Sequence, residues 1–571
     1  MKKIFNALLL TGLLVGCYED KGNYDYSLDK MNEIKSISFT PALISSANDF
    51  IEFRMALNED EQVRRIEAHV EQTLSDNYDN LDFYWYRSYT DEEGKYVYDT
   101  ITTKGYLDIE LPIGKEISYD IYLKIYDNST ALSKYVEFTA ETRPLYKNSL
   151  FVLHGEPGNR KLGNIEIIGS DTIIYSDAYS VLYTDANPYS NTEGLAYTAY
   201  FDMNSDTYQS IEVNNLMAFN SNTTASVYNS YGLQLKIPAM SLFKPYSSTF
   251  VYSKYFQAGV PDTERVYRVF ISRSGQVYIG NHVSALYVPG KDIAVGNQQH
   301  QTDYMITAAT ATDNRFVFWD AKNNRFLYME KSDYATAEDN ADAAIVDDPM
   351  LDANIDFDEL SKSPVGMAAV YAYIQYRENY SESAAYFIFK DEASGVYYRY
   401  ELIPLALDGE KKNIASTRTD EAKPAFSISC EQLNNFNPGT QDNTIVYSSW
   451  FTSNTLFYAE GGIVYRYNVA NSDKQKIYEA PGGYEISVLK FRANDGSIYS
   501  GNMGRYLSIG MNDGEYGAVA EVLLNTASDV DKDVPVTFYD RDNEGNRFGN
   551  IKDLQFAPIY FYDVPDYMLN N

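Results

Sequence analysis

The stretch that decides the fold is Thr455-Leu-Phe-Tyr-Ala459, which turns at Gly461-Gly462 into Ile463-Val-Tyr-Arg-Tyr-Asn468. Aromatic and β-branched residues dominate both runs, and such residues favour strands. Two short runs of this kind joined by a glycine turn are typical of a β-hairpin. The stretch therefore predicts one hairpin of a β-rich unit.

The same pattern recurs on both sides of this hairpin, with Gly or Asn at each turn. The repeats are 150–153 before a turn at 155–159, 266–272 turning at Gly275 into 276–279, 315–320 turning at Asn324 into 325–329, 385–390 turning at Gly395 into 396–400, and 505–510 turning at Gly514. The later turns follow one another at roughly 50 to 70 residues, which suits units of about four strands that bury their faces against their neighbours. The pattern predicts a β-propeller over residues 145–571 with six to eight blades, seven being favoured. Two stacked β-sandwiches are the alternative.

One stretch interrupts this pattern. Residues 332–361 carry alanines and clusters of acidic residues, and we expect a loop there that contains a short helix. Its aspartates are predicted to form a solvated face: Asp347, Asp348, Asp352, Asp356 and Asp358.

Residues 31–143 have a different texture. Short strands alternate apolar and polar residues, with turn signals every 8–12 residues, which predicts an immunoglobulin-like β-sandwich. The strand 119–127 and the turn at Asn128-Ser129 resemble the closing hairpin of PKD domains, although Trp85-Tyr-Arg-Ser is only a loose counterpart of their aromatic Gly-Asp motif. We expect an Ig/PKD-like spacer, or alternatively a protein-docking module, that ends before Pro144. The whole chain is thus predicted to be all-β.

The N-terminal residues resemble a targeting signal. Lys2 and Lys3 precede an apolar run that ends in Leu14-Val15-Gly16-Cys17, a pattern typical of a secretory signal and too short to span a bilayer. The run resembles the lipobox of bacterial lipoproteins, which implies removal of residues 1–16, lipid on Cys17 and a tether over residues 17–30. An ordinary secretion signal with a chance cysteine is the alternative.

The next residues, Tyr18-Glu-Asp-Lys-Gly-Asn-Tyr-Asp-Tyr26, resemble the export signal of Bacteroidota-type surface lipoproteins. Together with Cys17 they also resemble the start of a PKD-like lipoprotein family whose members accompany SusC/SusD-type nutrient importers. This resemblance implies a place on the outer membrane, facing the cell exterior, with such an importer as partner.

The net charge limits the classes of ligand and membrane contact that we expect, and the cysteine content limits the covalent bonds that can form. The formal net charge of −33 disfavours nucleic acids and attachment to anionic lipid through basic patches, so the lipid is the only expected membrane contact. With Cys17 lipidated, Cys430 stands alone and no intramolecular disulfide can form. Its alternating context predicts a small buried hydrophobe.

Motifs for chemistry are scarce. The histidines are His69, His154, His282 and His300, and the chain has no zinc-protease, nucleophile-elbow or Walker-type motif. His282 and His300 lie 18 residues apart and are a candidate metal pair, with lone surface or packed histidines as the favoured alternative. Calcium is the sharper metal candidate. Asp540, Asp542 and Glu544 stand at positions 1, 3 and 5 before Gly545, but Ile551 occupies position 12, where a closing carboxylate would stand. A solvated Asp/Asn/Gly hairpin without metal is the favoured alternative.

The three tryptophans are predicted to differ in their environments, two in the core and one at the surface. Trp85 and Trp319 lie within alternating strands and are predicted to be packed, whereas Trp450 ends a strand just before Thr452-Ser453-Asn454. Trp450 is therefore the candidate ligand platform, and a strand-end residue that fills a gap between blades is the alternative.

These features predict a surface lipoprotein that binds an extracellular glycan or peptide without catalysis, as an accessory component of a SusC/SusD-type uptake system. Two alternatives remain: a surface propeller hydrolase, glycosidase or peptidase, that uses an Asp/Glu pair, or a purely structural importer subunit. A close-set, solvent-reachable carboxylate pair would favour the hydrolase. The sequence does not point to one.

Overall fold

A computed structural model shows the chain divided into two compact units, Met1–Pro144 and Leu145–Asn571, called here the N-terminal and C-terminal units. Among the described residues, no helix is long and apolar enough to span a bilayer. The predicted signal peptide, Cys17 and the tether lie outside the described residues. The structure describes residues 31–43, 49–55, 62–75, 77–90, 96–111, 118–144, 146, 149–168, 171–203, 210–221, 225–230, 232–237, 251–260, 263–280, 288–289, 293–295, 298–301, 304–312, 315–330, 350–376, 383–405, 424–439, 443–448, 450–452, 454–492 and 504–557.

The N-terminal unit consists of two sheets. Strands β1, β3 and β6 form a three-stranded sheet in the order β1-β3-β6, and the others form a five-stranded sheet in the order β2-β8-β7-β4-β5. All described pairs are antiparallel except β2 with β8, which is parallel. The strands are β1 Ile34–Thr40, β2 Phe50–Met55, β3 Gln62–Gln72, β4 Leu81–Thr90, β5 Tyr96–Thr102, β6 Tyr106–Leu111, β7 Ser118–Asp127 and β8 Leu132–Pro144.

One hydrophobic core lies between these two sheets, which makes the unit a β-sandwich. Trp85 is fully buried at its centre, with its ring centroid 6.2 Å from that of Phe39 and 6.4 Å from that of Phe138. The indole N–H donates to the carbonyl of Lys104 at 2.9 Å, so the buried polar atom is satisfied.

A polar network closes one end of the sandwich around the buried carboxylate of Asp127. Asn32 and Asn80 donate to it through their amides at 2.9 and 3.0 Å, and Ser129 donates through its backbone and hydroxyl at 2.9 and 2.7 Å. Burial acts to raise the pKa of Asp127, but the donors around it outweigh that effect and hold the pKa well below its usual range. The network ties the start of the sandwich to the β7–β8 turn.

The C-terminal unit contains seven described sheets, numbered 1 to 7 here along the chain. Six have four strands, and sheet 4 has six, in the order β21-β20-β25-β24-β23-β22. Sheet 1 has the order β11-β10-β9-β38, so its fourth strand comes from the end of the chain; the remaining sheets contain β12–β15, β16–β19, β26–β29, β30–β33 and β34–β37.

The strands of sheets 1 to 4 are β9 Ser149–His154, β10 Lys161–Ile168, β11 Asp171–Tyr175, β12 Thr192–Met203, β13 Ser210–Asn220, β14 Ala225–Asn229, β15 Leu235–Ile237, β16 Tyr252–Val260, β17 Thr263–Ser272, β18 Val277–Gly280, β19 Val288–Pro289, β20 Ile293–Val295, β21 Gln298–Gln301, β22 Ile306–Ala311, β23 Arg315–Asp320, β24 Arg325–Glu330 and β25 Leu351–Asp352. A short helix, α1 Ala178–Leu182, follows β11. The strands of sheets 5 to 7, and the last strand, are β26 Ala368–Tyr376, β27 Ser383–Lys390, β28 Tyr397–Pro404, β29 Phe426–Leu433, β30 Ile445–Val446, β31 Thr455–Glu460, β32 Ile463–Asn468, β33 Asp473–Glu479, β34 Glu485–Phe491, β35 Tyr506–Asn512, β36 Gly517–Leu523, β37 Thr537–Tyr539 and β38 Ile551–Ala557.

Each sheet of the C-terminal unit packs on the next one. Successive residues of a strand point to opposite faces, so the neighbours Phe318 and Trp319 on β23 enter the cores shared with sheets 3 and 5 respectively. The sequence of packing continues from sheet 7 back to sheet 1. Pairs that share a core are Phe151 with Leu216, Met217 with Phe270, Val269 with Phe318, Trp319 with Phe389, Ile388 with Leu456, Phe457 with Leu507, and Val488 with Leu554.

The predicted hairpins are confirmed. Their turn residues adopt positive φ: 81° at Gly275, 51° at Asn324, 71° at Gly395, 58° at Gly461 and 99° at Gly514. The strands on either side of each turn pair antiparallel. Glycine and asparagine tolerate this backbone region, which is why they mark the turns in the sequence.

The last strand completes the first sheet. β38 pairs antiparallel with β9, and His154 at the end of β9 secures the junction. The His154 Nε2–H donates to the carbonyl of Ser176 at 2.7 Å, and Nδ1 accepts from the backbone N–H of Gly549 at 3.0 Å. Burial lowers the pKa of His154 to about 4, so the ring is neutral in this clasp.

Two expectations about single residues need correction. Asp352 is not part of a solvated face, because it belongs to β25 and its carboxylate lies 3.2 Å from the guanidinium of Arg325. Cys430 is only partly buried, because it lies on β29, the edge strand of sheet 5. Residues 350–361 contain no helix, and Asp347 and Asp348 lie outside the described residues.

Candidate ligand-binding site around Trp450

Trp450 lies in the loop between β30 and β31, and 44% of its surface is exposed. Trp85 and Trp319 are both fully buried. Exposure alone does not make an aromatic residue a binding site, since single exposed apolar side chains are common. What distinguishes Trp450 is its loop, whose contacts hold the indole in place at the surface.

The loop is anchored on both sides of Trp450. Tyr447 is buried, and its hydroxyl donates to the carbonyl of Phe451 at 3.3 Å. Phe451 is buried in the core between sheets 6 and 7, with its ring centroid 5.3 Å from that of Phe457. Because the neighbours of Trp450 face inward, the indole is held outside the core.

The indole rests on the backbone of Gly504. A Cβ atom built at Gly504 would lie 2.2 Å from Cδ1 and 3.0 Å from Nε1 of Trp450, so only glycine allows this contact. Ser448 connects the two segments. Its hydroxyl donates to the backbone carbonyl of Gly504 at 2.5 Å and accepts from the backbone N–H of Trp450 at 3.4 Å. The resulting platform is pre-organised, which lowers the entropic cost of binding a ligand.

A stack of tyrosines supports the loop from below. The ring of Tyr373 lies 4.4 Å from that of Tyr447, 4.9 Å from Tyr386 and 5.7 Å from Tyr371, all in stacked orientation. Arg399 donates to the Tyr373 hydroxyl at 3.2 Å. Burial raises the pKa of Tyr373 to about 12, so it stays a neutral phenol.

Arg399 links this stack to the far end of the loop. Its guanidinium also donates to the side-chain oxygen of Asn454 at 3.0 Å and to Glu431 at 2.6 Å. The backbone carbonyl of Asn454 in turn accepts a hydrogen bond from the backbone N–H of Val469 at 2.7 Å. The loop is therefore fastened to sheets 5 and 6 at several points.

Carboxylates of β12 and β38 are engaged in structural contacts. Asp553 on β38 accepts the backbone N–H of Leu195 at 2.7 Å and pairs with Lys490 at 2.8 Å, while Lys490 donates to the Leu195 carbonyl at 3.1 Å. Glu193 on β12 pairs with Arg160 at 2.7 Å. Both carboxylates therefore contribute to contacts that connect neighbouring strands.

The calcium candidates form a hydrogen-bonded turn. One Asp542 oxygen accepts the backbone N–H groups of Glu544 and Asn546, and the other accepts the Ser176 hydroxyl at 2.6 Å. Burial acts to raise the pKa of Asp542, but these hydrogen bonds outweigh it and lower the pKa. Asp540 instead pairs with Arg541 at 2.7 Å. In the part of the chain that the structure describes, no cluster of three His, Cys, Asp or Glu residues could hold a metal, and calcium at 540–545 stays a prediction.

Of the histidines, His154 is the clasp described above, and the His69 ring lies 2.8 Å from the Thr40 hydroxyl. The side chains of His282 and His300 are outside the described residues.

Sequence reasoning identified Trp450 but missed its support. Gly504 stands immediately before the predicted strand 505–510, and no turn pattern marks it. Tyr373 on β26 and Arg399 on β28 belong to different strands, and only the pairing of strands within sheet 5 brings them together.

The N-terminal unit is covered by a match to a known protein family. Residues 17–186 match the profile of the PKD-like family. This confirms the PKD-like part of the prediction. The match begins at Cys17 and continues past Pro144 into the first strands of the C-terminal unit. No curated protein matches the chain.

Several solved structures show weak likeness to the chain. A quinonprotein alcohol dehydrogenase-like protein from Bacteroides thetaiotaomicron is 11% identical, with 84% of this chain and 92% of that chain covered and a TM-score of 0.34. A mutant apocarotenoid oxygenase from Synechocystis is 8% identical, with 72% and 93% covered and a TM-score of 0.39. A Bacteroides thetaiotaomicron protein of unknown function is 11% identical, with 84% and 94% covered and a TM-score of 0.28. Likenesses this weak say nothing about activity.

Proposed function

We propose that this chain is a lipid-anchored outer-membrane protein that captures an extracellular glycan or peptide beside a SusC/SusD-type importer, without catalysis. The lipobox-like residues before Cys17 and the acidic residues after it support the location. The PKD-like match, which starts at Cys17, supports the kinship with lipoproteins of such systems.

The C-terminal unit is best explained as a seven-bladed β-propeller. Three observations support this architecture: seven consecutive sheets, hydrophobic cores shared by each neighbouring pair, and a last strand that completes the first sheet. Propellers of this kind leave only short strand edges and present loops at their two ends. The loop with Trp450 is one such loop.

The observation that carries the binding function is the exposed indole of Trp450 on its anchored loop. Flat aromatic surfaces stack on the apolar faces of sugars and of side chains without needing an opposite charge. This suits a chain with a net charge of −33, which cannot rely on a basic patch.

Glycan and peptide arrays probed with the full chain in nonionic detergent test this function. We expect binding to at least one array ligand, and we expect Trp450→Ala to abolish it without a change in thermal midpoint. Phe538→Ala is the matched control, because Phe538 is a 41% exposed aromatic residue of the same unit that lies on β37. Unchanged binding by Trp450→Ala would show that the platform has no role, and a large stability loss would show that Trp450 only packs.

A further inference from the structure

The outward side of the five-stranded sheet in the N-terminal unit carries five tyrosines on three adjacent strands. Buried residues such as Phe83, Trp85 and Leu123 alternate with them and face the core, so the tyrosines point away from it. We call this surface the tyrosine face; it consists of Tyr84 and Tyr86 on β4, Tyr122 and Tyr126 on β7, and Tyr135 on β8.

Strand register arranges these rings as a lattice. Tyr86 lies directly opposite Tyr122, and Lys124 lies between Tyr84 on one side and Tyr135 on the other. Positions across strands are about 4.8 Å apart, and alternate positions along a strand are about 6.6 Å apart. Repeating rings at such spacings form an extended surface rather than a single pocket.

The lattice is open to solvent and mixed with polar groups. Tyr135 is 68% exposed, and the other four tyrosines are partly exposed. The Lys124 ammonium lies 5.6 Å from the ring centroid of Tyr84 and 5.8 Å from that of Tyr126. This places a hydrogen-bond donor among the rings.

The charge around the rings is negative. Asp82, Asp120 and Glu137 belong to the same outward rows as the tyrosines and are exposed, and the cation of Lys124 lies among them. Together with the net charge of the whole chain, this disfavours polyanionic ligands such as uronic acid polymers.

We propose that the tyrosine face binds an extended, neutral polysaccharide chain. Phenol rings stack on the apolar faces of successive sugar units, and the phenol hydroxyls and Lys124 bond to sugar hydroxyls. A repeating lattice suits a polymer with repeating units, whereas peptides are usually held in grooves or along sheet edges. The inference rests on the proposed capture function and names neutral glycans as its ligand class, held at a second site apart from Trp450.

Native affinity electrophoresis tests this site. The full chain in nonionic detergent is run through gels that contain mannan, xylan, dextran, mixed-linkage β-glucan or anionic polygalacturonate. We expect retardation by at least one neutral polymer and none by polygalacturonate. Tyr135→Ala and Tyr84→Ala should each weaken the affinity about tenfold, while Tyr135→Phe and Tyr84→Phe, which keep the rings, should retain most of it.

Val63→Ala is the matched control, because Val63 is a 59% exposed residue on β3, in the other sheet of the same unit. Thermal midpoints of all variants establish that the fold is intact. Absence of retardation by every neutral polymer, or retardation by polygalacturonate alone, would overturn the inference. Retardation that is lost in Trp450→Ala but unchanged in both tyrosine-to-alanine variants would also overturn it, while leaving the proposed capture function standing.

Discussion

At the scale of single residues, the contact between Trp450 and Gly504 sets the position of the proposed binding platform. Gly504→Ala places a methyl group where the indole lies, so the indole must move. We expect loss of ligand binding comparable to that of Trp450→Ala, with little loss of stability, since the indole is largely outside the core. In the double variant the added methyl should cause no further loss, because the group it displaces is gone. Array binding by the two single variants and the double variant measures this, and additive losses would contradict it.

His154 is the residue at which pH should act. Its pKa of about 4 in the folded chain lies below the usual 6.5, so folding favours the neutral ring. The stability it contributes is present above pH 6.5 and is lost as the pH falls from 6.5 to 4, by about 3 kcal/mol in total. A protonated Nδ1 could no longer accept from Gly549.

Urea unfolding at pH 7, 6, 5 and 4 measures this effect. We expect the stability difference between wild type and His154→Gln to shrink as the pH falls, since the variant does not titrate at this position. His69→Gln, which changes a histidine on β3, is the control. Parallel stability curves for wild type and His154→Gln across this range would contradict the clasp.

At the scale of elements, the hairpins of the C-terminal unit were predictable and their partners were not. Turn residues such as Gly275 and Asn324 can be recognised in the sequence because few other residue types tolerate a positive φ. By contrast β3, Gln62–Gln72, was missed, because Arg64, Arg65 and Glu67 dilute the alternation of its buried residues Ile66, Ala68 and Val70. The tyrosine face could have been found from tyrosines two residues apart on β4 and four apart on β7, although their alignment depends on strand register.

The junction of β38 with its neighbours gives a prediction about elements. Asp553 joins β38 to Leu195 on β12 and to Lys490 on β34, and these strands belong to sheets 1, 2 and 7. Asp553→Ala leaves the buried backbone N–H of Leu195 without its acceptor and Lys490 without its carboxylate partner, which we expect to cost about 2–4 kcal/mol. Urea unfolding of the full chain measures it, with Asp473→Ala, an exposed change on the edge strand β33, as control. Equal stability of the two variants would contradict a closing role for Asp553.

At the scale of the whole molecule, the two units differ in how their strands are buried. The sandwich strands alternate buried and exposed residues, whereas β27, the second strand of sheet 5, is buried along nearly its whole length because both of its faces are covered. The turn spacing predicts six to eight blades with seven favoured, and the structure describes seven sheets in this unit, while the propeller architecture itself stays a proposal. The PKD-like match agrees with the N-terminal prediction, while the importer partnership and the surface location stay predictions.

Capture of a ligand by Trp450 at the cell surface is the function proposed for this chain. The most direct test uses intact cells that express wild type, Trp450→Ala or Cys17→Ala, stained with antibody and with a fluorescent form of the ligand found on the arrays. We predict that wild type and Trp450→Ala stain equally with antibody and that only wild type binds the ligand. Cys17→Ala should be released from the membrane and give neither signal. Equal ligand binding by Trp450→Ala, or wild-type protein beyond the reach of antibody on intact cells, would contradict the account.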